Sequence, residues 1–233
     1  MIYGAMLAGG VGSRMKSATI PKQFLEVNGQ PIILYTLRNM LKVSRFDYIY
    51  IATHHDYIQY MKDMVEKYVD TPDKVRIIEG GKERMDSIHN VTDAIVADEG
   101  LHDDDVIVIH DAVRPLVTEK ILNDSIDAAA TYGACVCGVP AVDTMLYSED
   151  GKVVTDIPER SKLYNGQAPD SFSLPRFLEM QNNLTEEQKK MITGTSQICT
   201  MNHQPIYIID GDPLNFKLTT DGDLRIFKSM IEG

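Results

Sequence analysis

The sequence has 233 residues, 43% of them hydrophobic and 24% charged, which is typical of a globular domain and not of a disordered chain. Asp and Glu outnumber Lys and Arg by 34 to 23, and the resulting net charge of −11 argues against a nucleic-acid-binding protein. No uncharged apolar run approaches the roughly 20 residues that cross a bilayer, and the first ten residues lack a basic signal-peptide region.

Apolar β-rich runs alternate with helical patterns through the first 140 residues. Strands are predicted at residues 2–7, 48–53, 75–79, 106–110 and 135–139, and helices at 32–43, 57–68, 85–97 and 119–132. In the second helix Met61, Met64 and Val65 fall on one face, which indicates core packing. Strands separated by helices predict a single Rossmann-like α/β domain with a mainly parallel central sheet and helices on both faces.

The pattern changes after Pro140. A β-hairpin is predicted from residues 142–147, a turn at 148–151 and residues 152–157, because Asp-Gly between apolar runs favours a tight turn. The hairpin would protrude as an arm at about 141–162 from one domain spanning residues 1–233. Helices are then expected at 174–182 and 185–192, strands at 206–210 and 215–219, and a closing helix at 221–231.

The cysteines form neither a disulfide framework nor a zinc pattern. Cys135, Cys137 and Cys199 are expected to be buried, unreactive thiols, which favours a reducing, cytoplasmic location. The acidic run at residues 103–105 precedes a strand and is interpreted as a solvated turn.

A glycine-rich loop directly follows the first strand. Gly9, Gly10 and Gly12 allow backbone N–H groups to approach phosphate oxygens, and Arg14 and Lys22 add positive charge to the same loop. The third glycine of a dinucleotide fingerprint and the Gly-Lys-Ser/Thr of a P-loop are both absent. A tight connection is the alternative, but the combination of glycines and basic residues predicts phosphate binding.

A second loop follows the third strand and opens a helix. Gly80 and Gly81 could let the main chain contact a base, and Ser87 could hydrogen-bond a base or a ribose. A helix N-terminus with Asp86 and Ser87 in its first turn explains the same residues, and the two interpretations are compatible.

Polar residues also follow other strands. Asp111 ends the fourth strand, where it is placed to hold a hard cation or to cap a turn, and Arg114 could reach a phosphate. Lys217 lies in a β-like run, either as an edge-strand charge or as a cation pointing into the cleft. His54 and His55 lack spaced metal-ligand partners, so a polar loop role is favoured.

Phosphate-directed loops with one cation-binding Asp indicate chemistry on a nucleoside triphosphate, where positioning and charge neutralisation supply most of the catalysis. The motifs behind this interpretation are AGGVGSRM (8–15), PKQF (21–24), GGKER (80–84) with Ser87, HDAVRP (110–115), VDT (142–144) and NFKLT (215–219). Over essentially the whole chain they resemble the cytidylyltransferases that activate methylerythritol phosphate or ribitol 5-phosphate.

The resemblance implies transfer of CMP from CTP to a polyol phosphate, with Mg²⁺, to give a CDP-polyol and pyrophosphate. It implies that Arg14 and Lys22 stabilise the transition state and that Asp111 lies at the metal. The implied CTP-binding residues are Leu7, Ala8, Gly9, Gly10, Gly80, Gly81, Lys82, Glu83, Arg84, Met85, Asp86, Ser87 and Ala112. The implied acceptor-positioning residues are Asp111, Arg114, Thr144, Arg160 and Lys217. In the family the arm reaches across a homodimer, so Thr144 and Arg160 would serve the partner's site.

The finer branch follows from TDIPER (155–160), LYNGQ (163–167), LTEEQKKMIT (184–193) and LRIFKSMI (224–231), which resemble the ribitol-5-phosphate enzymes of teichoic acid or capsule synthesis. Two departures fall on the acceptor side. Ala168 and Asp170 stand in QAPD where the family has QTPQ, and Gly194 replaces an Asp. The alternatives are the methylerythritol-phosphate branch of isoprenoid synthesis and a catalytically silent nucleotide-binding module.

Overall fold

Buried apolar strands build a central sheet in the computed structural model, which describes residues 1–10 and 20–232. The strands are β1 (Ile2–Ala8), β2 (Glu26–Val27), β3 (Gln30–Pro31), β4 (Tyr48–Thr53), β5 (Val75–Glu79), β6 (Val106–Asp111), β7 (Ala134–Pro140), β8 (Tyr164–Ser173) and β9 (Tyr207–Asp210). In this part of the chain seven strands form one sheet in the order β5-β4-β1-β6-β8-β7-β9, while β2 and β3 pair separately. All neighbours in the large sheet are parallel except those of β8.

Helices cover both faces of this sheet, as the alternating pattern predicts. They are α1 (Ile32–Lys42), α2 (Ile58–Tyr68), α3 (Arg84–Glu99), α4 (Glu119–Tyr132), α5 (Leu174–Asn182), α6 (Glu186–Met191), α7 (Gln197–Met201) and α8 (Asp221–Glu232). Within β1, Met6 and Ala8 pack in one core cluster with α1, α2 and α4, whereas Tyr3 and Ala5 pack in another with α3, α5 and α7. The two-residue period of a strand therefore divides its side chains between two cores.

Local sequence determines where several helices begin and end. The Thr118 hydroxyl accepts a hydrogen bond from the Ile121 N–H at the start of α4, and Gly133 ends that helix in the left-handed conformation at φ 87°. At the start of α6 the Thr185 and Gln188 side chains cap each other's backbone N–H groups, at 3.2 and 2.9 Å. The predicted methionine stripe of α2 is confirmed, because Met61 and Met64 are buried.

Strand β8 has no counterpart among the predicted elements. It runs antiparallel between β6 and β7 near the middle of the sheet. Its sequence, YNGQAPDSFS, is rich in residues that strands normally avoid, and a proline in a central strand argues against that assignment. Its pairing with β7 shifts register between Val136 and Cys137, and this irregularity accommodates the unusual residues.

The prediction of a strand at residues 215–219 is wrong. Asn215 closes a turn by donating its N–H to the Asp212 carbonyl, 2.8 Å away. Beyond the turn Leu218 donates its N–H to the Val113 carbonyl at 2.9 Å, but the segment forms no ladder. The two buried residues of this segment, Asn215 and Leu218, lie three positions apart, which is not the two-residue period of a strand.

The arm, residues 141–162, reverses direction as predicted but is less regular than a hairpin. Tyr147 and Asp156 form an isolated antiparallel bridge, and no longer ladder joins the two sides. The Asp150 carboxylate accepts hydrogen bonds from the backbone N–H groups of Lys152 and Val153, which holds the turn. Both sides of the arm expose apolar side chains, including Val142, which is 75% exposed.

The expectation that the cysteines are buried, unreactive thiols is confirmed, whereas the interpretation of the acidic run as a solvated turn is wrong at one residue. Burial raises the pKa of Cys135 to about 12 and those of Cys137 and Cys199 to about 11, so these thiols stay protonated. Asp105 is fully buried and accepts hydrogen bonds from the Met1 amine at 2.6 Å and the His102 N–H at 2.9 Å. Among the described residues, no helix is long and apolar enough to span a membrane.

Candidate active site

A cavity of about 310 Å³ opens at the carboxyl edge of β1 and β6, where ligands bind in open α/β sheets. Its walls come from the loop after β1, the 3-10 helix Lys22–Phe24, the start of α3, the end of β6 and the segment before α8. Its lining residues are Leu7, Ala8, Gly9, Gly10, Lys22, Gln23, Gly81, Lys82, Glu83, Arg84, Ser87, Asp111, Ala112, Val113, Lys217 and Thr219.

The loop after β1 supplies the first wall. Leu7 to Gly10 line the cavity, whereas the predicted Arg14 and Gly12 lie outside the described residues. Lys22 is almost buried, and its ammonium group donates a hydrogen bond to the Leu218 carbonyl at 2.9 Å. Gln23 donates from its amide to the Ala8 carbonyl at 2.5 Å, which fastens the 3-10 helix to the end of β1.

The loop before α3 is shaped by Ser87 and Asp86. The Ser87 hydroxyl accepts a hydrogen bond from the Gly81 N–H at 3.0 Å and donates to the Glu83 carbonyl at 3.2 Å. Asp86 accepts from the Glu83 N–H at 3.0 Å as part of a capping box. A Cβ on Gly81 would lie 2.0 Å from the Asp86 Cβ, so only glycine fits this approach. The predicted helix N-terminus is therefore confirmed, and it forms one wall of the cavity.

Three basic side chains converge on Asp111 at the end of β6. Its Oδ1 lies 2.7 Å from Arg84 Nη1, and its Oδ2 lies 3.1 Å from Lys217 Nζ and 3.2 Å from Arg114 Nε. Burial alone would raise the pKa of Asp111, but Arg84, Lys217 and Arg114 hold it well below its ordinary value. The Asp111 carboxylate is therefore ionised at physiological pH. Lys217 lines the cavity, so its ammonium points into the cleft and is not an edge-strand charge.

His110 supports this cluster from within the sheet. It is fully buried, and burial lowers its pKa to about 4, so the imidazole is neutral. Because a carbonyl only accepts, Nε2 carries the proton and donates to the Arg114 carbonyl at 3.3 Å. Arg114 in turn donates from Nη1 to the Asn215 carbonyl at 2.8 Å. These contacts join the end of β6 to the segment that carries Lys217.

The structure brings most of the predicted site residues together, but not all of them. Gly80, Met85, Asp86 and Arg114 do not line the cavity, and Met85 is part of the core. Thr144 and Arg160 lie on the exposed arm and do not line this chain's cavity.

Three lining residues were not predicted: Gln23, Val113 and Thr219. Gln23 and Thr219 belong to the motifs PKQF and NFKLT, which the sequence singles out. Their closeness to Lys22 and Lys217 in those motifs was the signal that could have identified them as lining residues. Val113 follows Ala112 in the HDAVRP motif.

His54 and His55 lie in a polar loop, as expected, but the expectation that they lack metal-ligand partners is wrong, because Asp56 lies beside them. His54 accepts from the Asp56 N–H at 3.3 Å and caps the 3-10 helix His55–Tyr57. The ligand atoms of His54, His55 and Asp56 lie within 4.8 Å of one another, a spacing that a metal ion could use, but none of these residues lines the cavity.

The fold and the cavity define an α/β nucleotide-handling enzyme of the nucleotidyltransferase class: glycine-containing loops, a helix N-terminus and several cations meet at the carboxyl edge of the sheet. The family model of IspD, 2-C-methyl-D-erythritol 4-phosphate cytidylyltransferase, matches residues 2–232. The chain belongs to the IspD family of CTP-dependent cytidylyltransferases, which are pyrophosphate-releasing nucleotidyltransferases.

Solved structures of low sequence identity share the fold. The 4-diphosphocytidyl-2C-methyl-D-erythritol synthase of Anaerococcus prevotii is 23% identical, with a TM-score of 0.81 over 100% of this chain and 96% of that one. The 2-C-methyl-D-erythritol 4-phosphate cytidylyltransferase of Francisella tularensis is 24% identical, with a TM-score of 0.79 over 98% of both chains. That of Thermus thermophilus is 20% identical, with a TM-score of 0.75 over the whole of both chains.

Proposed function

We propose that the protein transfers CMP from CTP to D-ribitol 5-phosphate, giving CDP-ribitol and pyrophosphate for the synthesis of teichoic acid or capsule polymers. The observation that carries the proposal is the cluster of Arg84, Lys217 and Asp111 at a cavity that Lys22 also lines. Cations held in fixed positions can neutralise a triphosphate and an acceptor phosphate without reorganising during the reaction.

In this mechanism an oxygen of the acceptor phosphate attacks the α-phosphorus of CTP in line. A new phosphorus–oxygen bond forms as the bond to the β-phosphate oxygen breaks, and pyrophosphate leaves with the electron pair. Lys22, with Arg14, would neutralise the charge that builds up around the α-phosphorus, and the loops 7–10 and 80–87 would hold CTP. No residue forms a covalent intermediate, because positioning and charge neutralisation are sufficient for phosphoryl-type transfer.

Asp111 would be the Mg²⁺ ligand through Oδ1, which meets Arg84 alone and keeps a lone pair, whereas Oδ2 already meets both Arg114 and Lys217. It is a nearly buried carboxylate that stays ionised at the cavity wall, and Mg²⁺ prefers oxygen ligands from one or two carboxylates and substrate phosphates. When bound, the ion would neutralise triphosphate charge and help to orient the reacting groups.

The acceptor would lie on the side of Asp111, Arg114 and Lys217. Thr144 and Arg160 would complete that side in the site of a partner subunit, because the arm holds them away from this chain's cavity. The exposed apolar side chains of the arm, such as Val142 and Leu146, support a homodimer in which the arm packs on a second copy.

The identity of the acceptor has a second candidate, 2-C-methyl-D-erythritol 4-phosphate, because the family model and the solved structures carry that substrate in their names. Ribitol 5-phosphate is favoured by the segments at 155–160, 163–167, 184–193 and 224–231, which resemble the ribitol branch. Ala168 lacks the hydroxyl that the family's Thr offers to an acceptor. The variant Ala168→Thr restores that hydroxyl and so tests its effect on the choice of acceptor.

Pyrophosphate release from CTP, measured with each acceptor in parallel, tests the proposal. We expect the kcat/KM with ribitol 5-phosphate to exceed that with methylerythritol phosphate, and CDP-ribitol to be the product. A reversed preference would assign the protein to the methylerythritol-phosphate branch. CTP binding by calorimetry without turnover of either acceptor would indicate a nucleotide-binding module instead.

A further inference from the structure

The guanidinium group of Arg84 is held at both ends. Nη1 donates to Asp111 at the cavity wall, and Nη2 donates to the Thr195 hydroxyl at 3.4 Å. Thr195 is fully buried and lies just before α7, in a segment for which the proposed reaction gives no role. Arg84 lines the cavity and Thr195 does not, so Thr195 touches the guanidinium from behind.

Asp170 lies near both Thr195 and Arg84. It lies in β8 opposite Ile109 of β6, and it is 8% exposed. Both the Thr195 hydroxyl and the Arg84 guanidinium lie near enough to this carboxylate to favour its charged form. Because an arginine cannot accept, the Thr195 hydroxyl accepts from Arg84, which leaves its own proton to point towards the Asp170 carboxylate.

This arrangement, Asp111–Arg84–Thr195–Asp170, is hereafter the polar chain. It brings two carboxylates, Asp111 and Asp170, close to one guanidinium. Burial, together with the nearby charge of Asp111, raises the pKa of Asp170 to about 6, although Arg84 counteracts this. A second buried carboxylate near Asp111 is unfavourable for the fold, and the groups that compensate it are Arg84, Thr195 and, to a smaller extent, Arg114.

We propose that Asp170 and Thr195 are positioning residues that fix the Arg84 guanidinium for an anionic phosphate group bound in the cavity. The proposal rests on the proposed function only in requiring a phosphate-bearing substrate at Arg84. Asp111 contacts Arg84 through Nη1 only, and its other oxygen, Oδ2, contacts Arg114 and Lys217. The contacts from Thr195 and Asp170 fix the orientation of the guanidinium plane, which determines whether two N–H groups can face a phosphate together.

Asp170→Asn and Thr195→Val test the polar chain, with Thr195→Ser as the conservative variant that keeps the hydroxyl. Ser171→Ala is the matched control, because Ser171 is buried in the same strand and points to the opposite face of the sheet. The measurements are the free energy of unfolding, pyrophosphate and CTP affinity by calorimetry, and kcat and KM for CTP turnover.

We expect Asp170→Asn and Thr195→Val to lose about 10- to 100-fold in kcat/KM for CTP, by analogy with the loss found for residues that orient metal ligands. Pyrophosphate affinity should fall in the same two variants, while Thr195→Ser and Ser171→Ala stay within about threefold of the wild type. The free energy of unfolding of Asp170→Asn should be at least that of the wild type. If the role of Asp170 were purely structural, the variant would instead be destabilised.

Wild-type constants in both Asp170→Asn and Thr195→Val, in a protein whose wild type binds and turns over CTP, would overturn the positioning role alone. A loss in Thr195→Ser as large as that in Thr195→Val would also overturn it, because the hydroxyl would then be irrelevant. A wild type that binds neither pyrophosphate nor CTP would instead overturn the proposed function, and the positioning role with it.

Discussion

Replacing Asp111 by Asn removes one charge and keeps the shape, so it tests whether Asp111 holds the cationic cluster together. Three cations lie within 3.2 Å of its oxygens. Removing one partner of a buried ion pair destabilises a protein by about 3–5 kcal/mol. Arg114 is 11% exposed, but Arg84 and Lys217 are 30% and 36% exposed, so water screens two of the three cations.

We therefore expect Asp111→Asn to lower the free energy of unfolding by about 2–4 kcal/mol, less than for a fully buried pair. In a chain of this length that corresponds to a fall in Tm of roughly 5–15 °C. Urea and thermal unfolding at pH 7 with EDTA measure the change. Asp124→Asn is the control, because it neutralises an exposed carboxylate paired with Lys120 and should cost below about 1 kcal/mol.

The stability difference between the wild type and Asp111→Asn should depend on pH and on a bound anion in a defined way. A carboxyl whose pKa is lowered by folding contributes stability above its unfolded pKa near 3.8, and that contribution is lost only as the pH falls further. The difference between wild type and Asp111→Asn should thus persist from pH 8 to 5. Inorganic pyrophosphate should raise the Tm of Asp111→Asn by more than that of the wild type, since the anion replaces the missing carboxylate. A destabilisation no larger than that of Asp124→Asn, or no extra gain with pyrophosphate, would refute the reasoning.

The remaining predictions concern single side chains. Lys22→Ala should lower kcat by about 10²–10³, the effect of removing one preorganised charge, and near-normal turnover in steady-state assays would remove Lys22 from the transition state. Arg160→Ala should raise the KM for the acceptor and leave CTP affinity unchanged in calorimetry; a loss of CTP affinity would contradict its assignment. Gly81→Ala should weaken CTP binding and lower the Tm, because the new Cβ would lie 2.0 Å from the Asp86 Cβ, and unchanged affinity would show that the loop moves freely. Asp170 has a pKa raised from 3.8 to about 6, so its contribution to stability is present below pH 3.8 and is lost as the pH rises towards 6. Relative to Asp170→Asn, the wild type should lose up to about 3 kcal/mol between pH 4 and 7 in urea unfolding, and parallel curves would contradict the raised pKa.

The parallel half of the sheet could be predicted because each strand is a continuous apolar run followed by an amphipathic helix. Strand β8 could not, because its asparagine, glycine, proline and aspartate all favour other conformations. Its place between β6 and β7 is fixed by long-range pairing, which outweighs local propensity once the neighbouring strands are present.

In the candidate site, too, some features follow from short sequence motifs and others depend on contacts between residues far apart in the chain. The loops after β1 and before α3 carry their glycines and basic residues in short motifs, so both were predicted from sequence. The contact between Arg84 and Thr195 joins residues 111 positions apart, and no spacing rule connects them. Asp170 and Gly194 stood out only as departures from the family pattern, and the fold places Asp170 and the neighbour of Gly194 behind Arg84.

Asp170 also shows why stability and function separate at this site. An ionised carboxylate buried near Asp111 weakens the folded state at neutral pH, so Asp170→Asn should stabilise the protein there. The same change removes the negative charge of Asp170, which attracts the Arg84 guanidinium. The proposed activity should therefore fall while the free energy of unfolding rises. Groups that are unfavourable for folding are expected where a protein must hold a charged side chain ready for a ligand. A variant that gains stability and keeps full activity would place Asp170 outside the working site, whereas opposite changes in the two quantities are the signature of a positioned arginine.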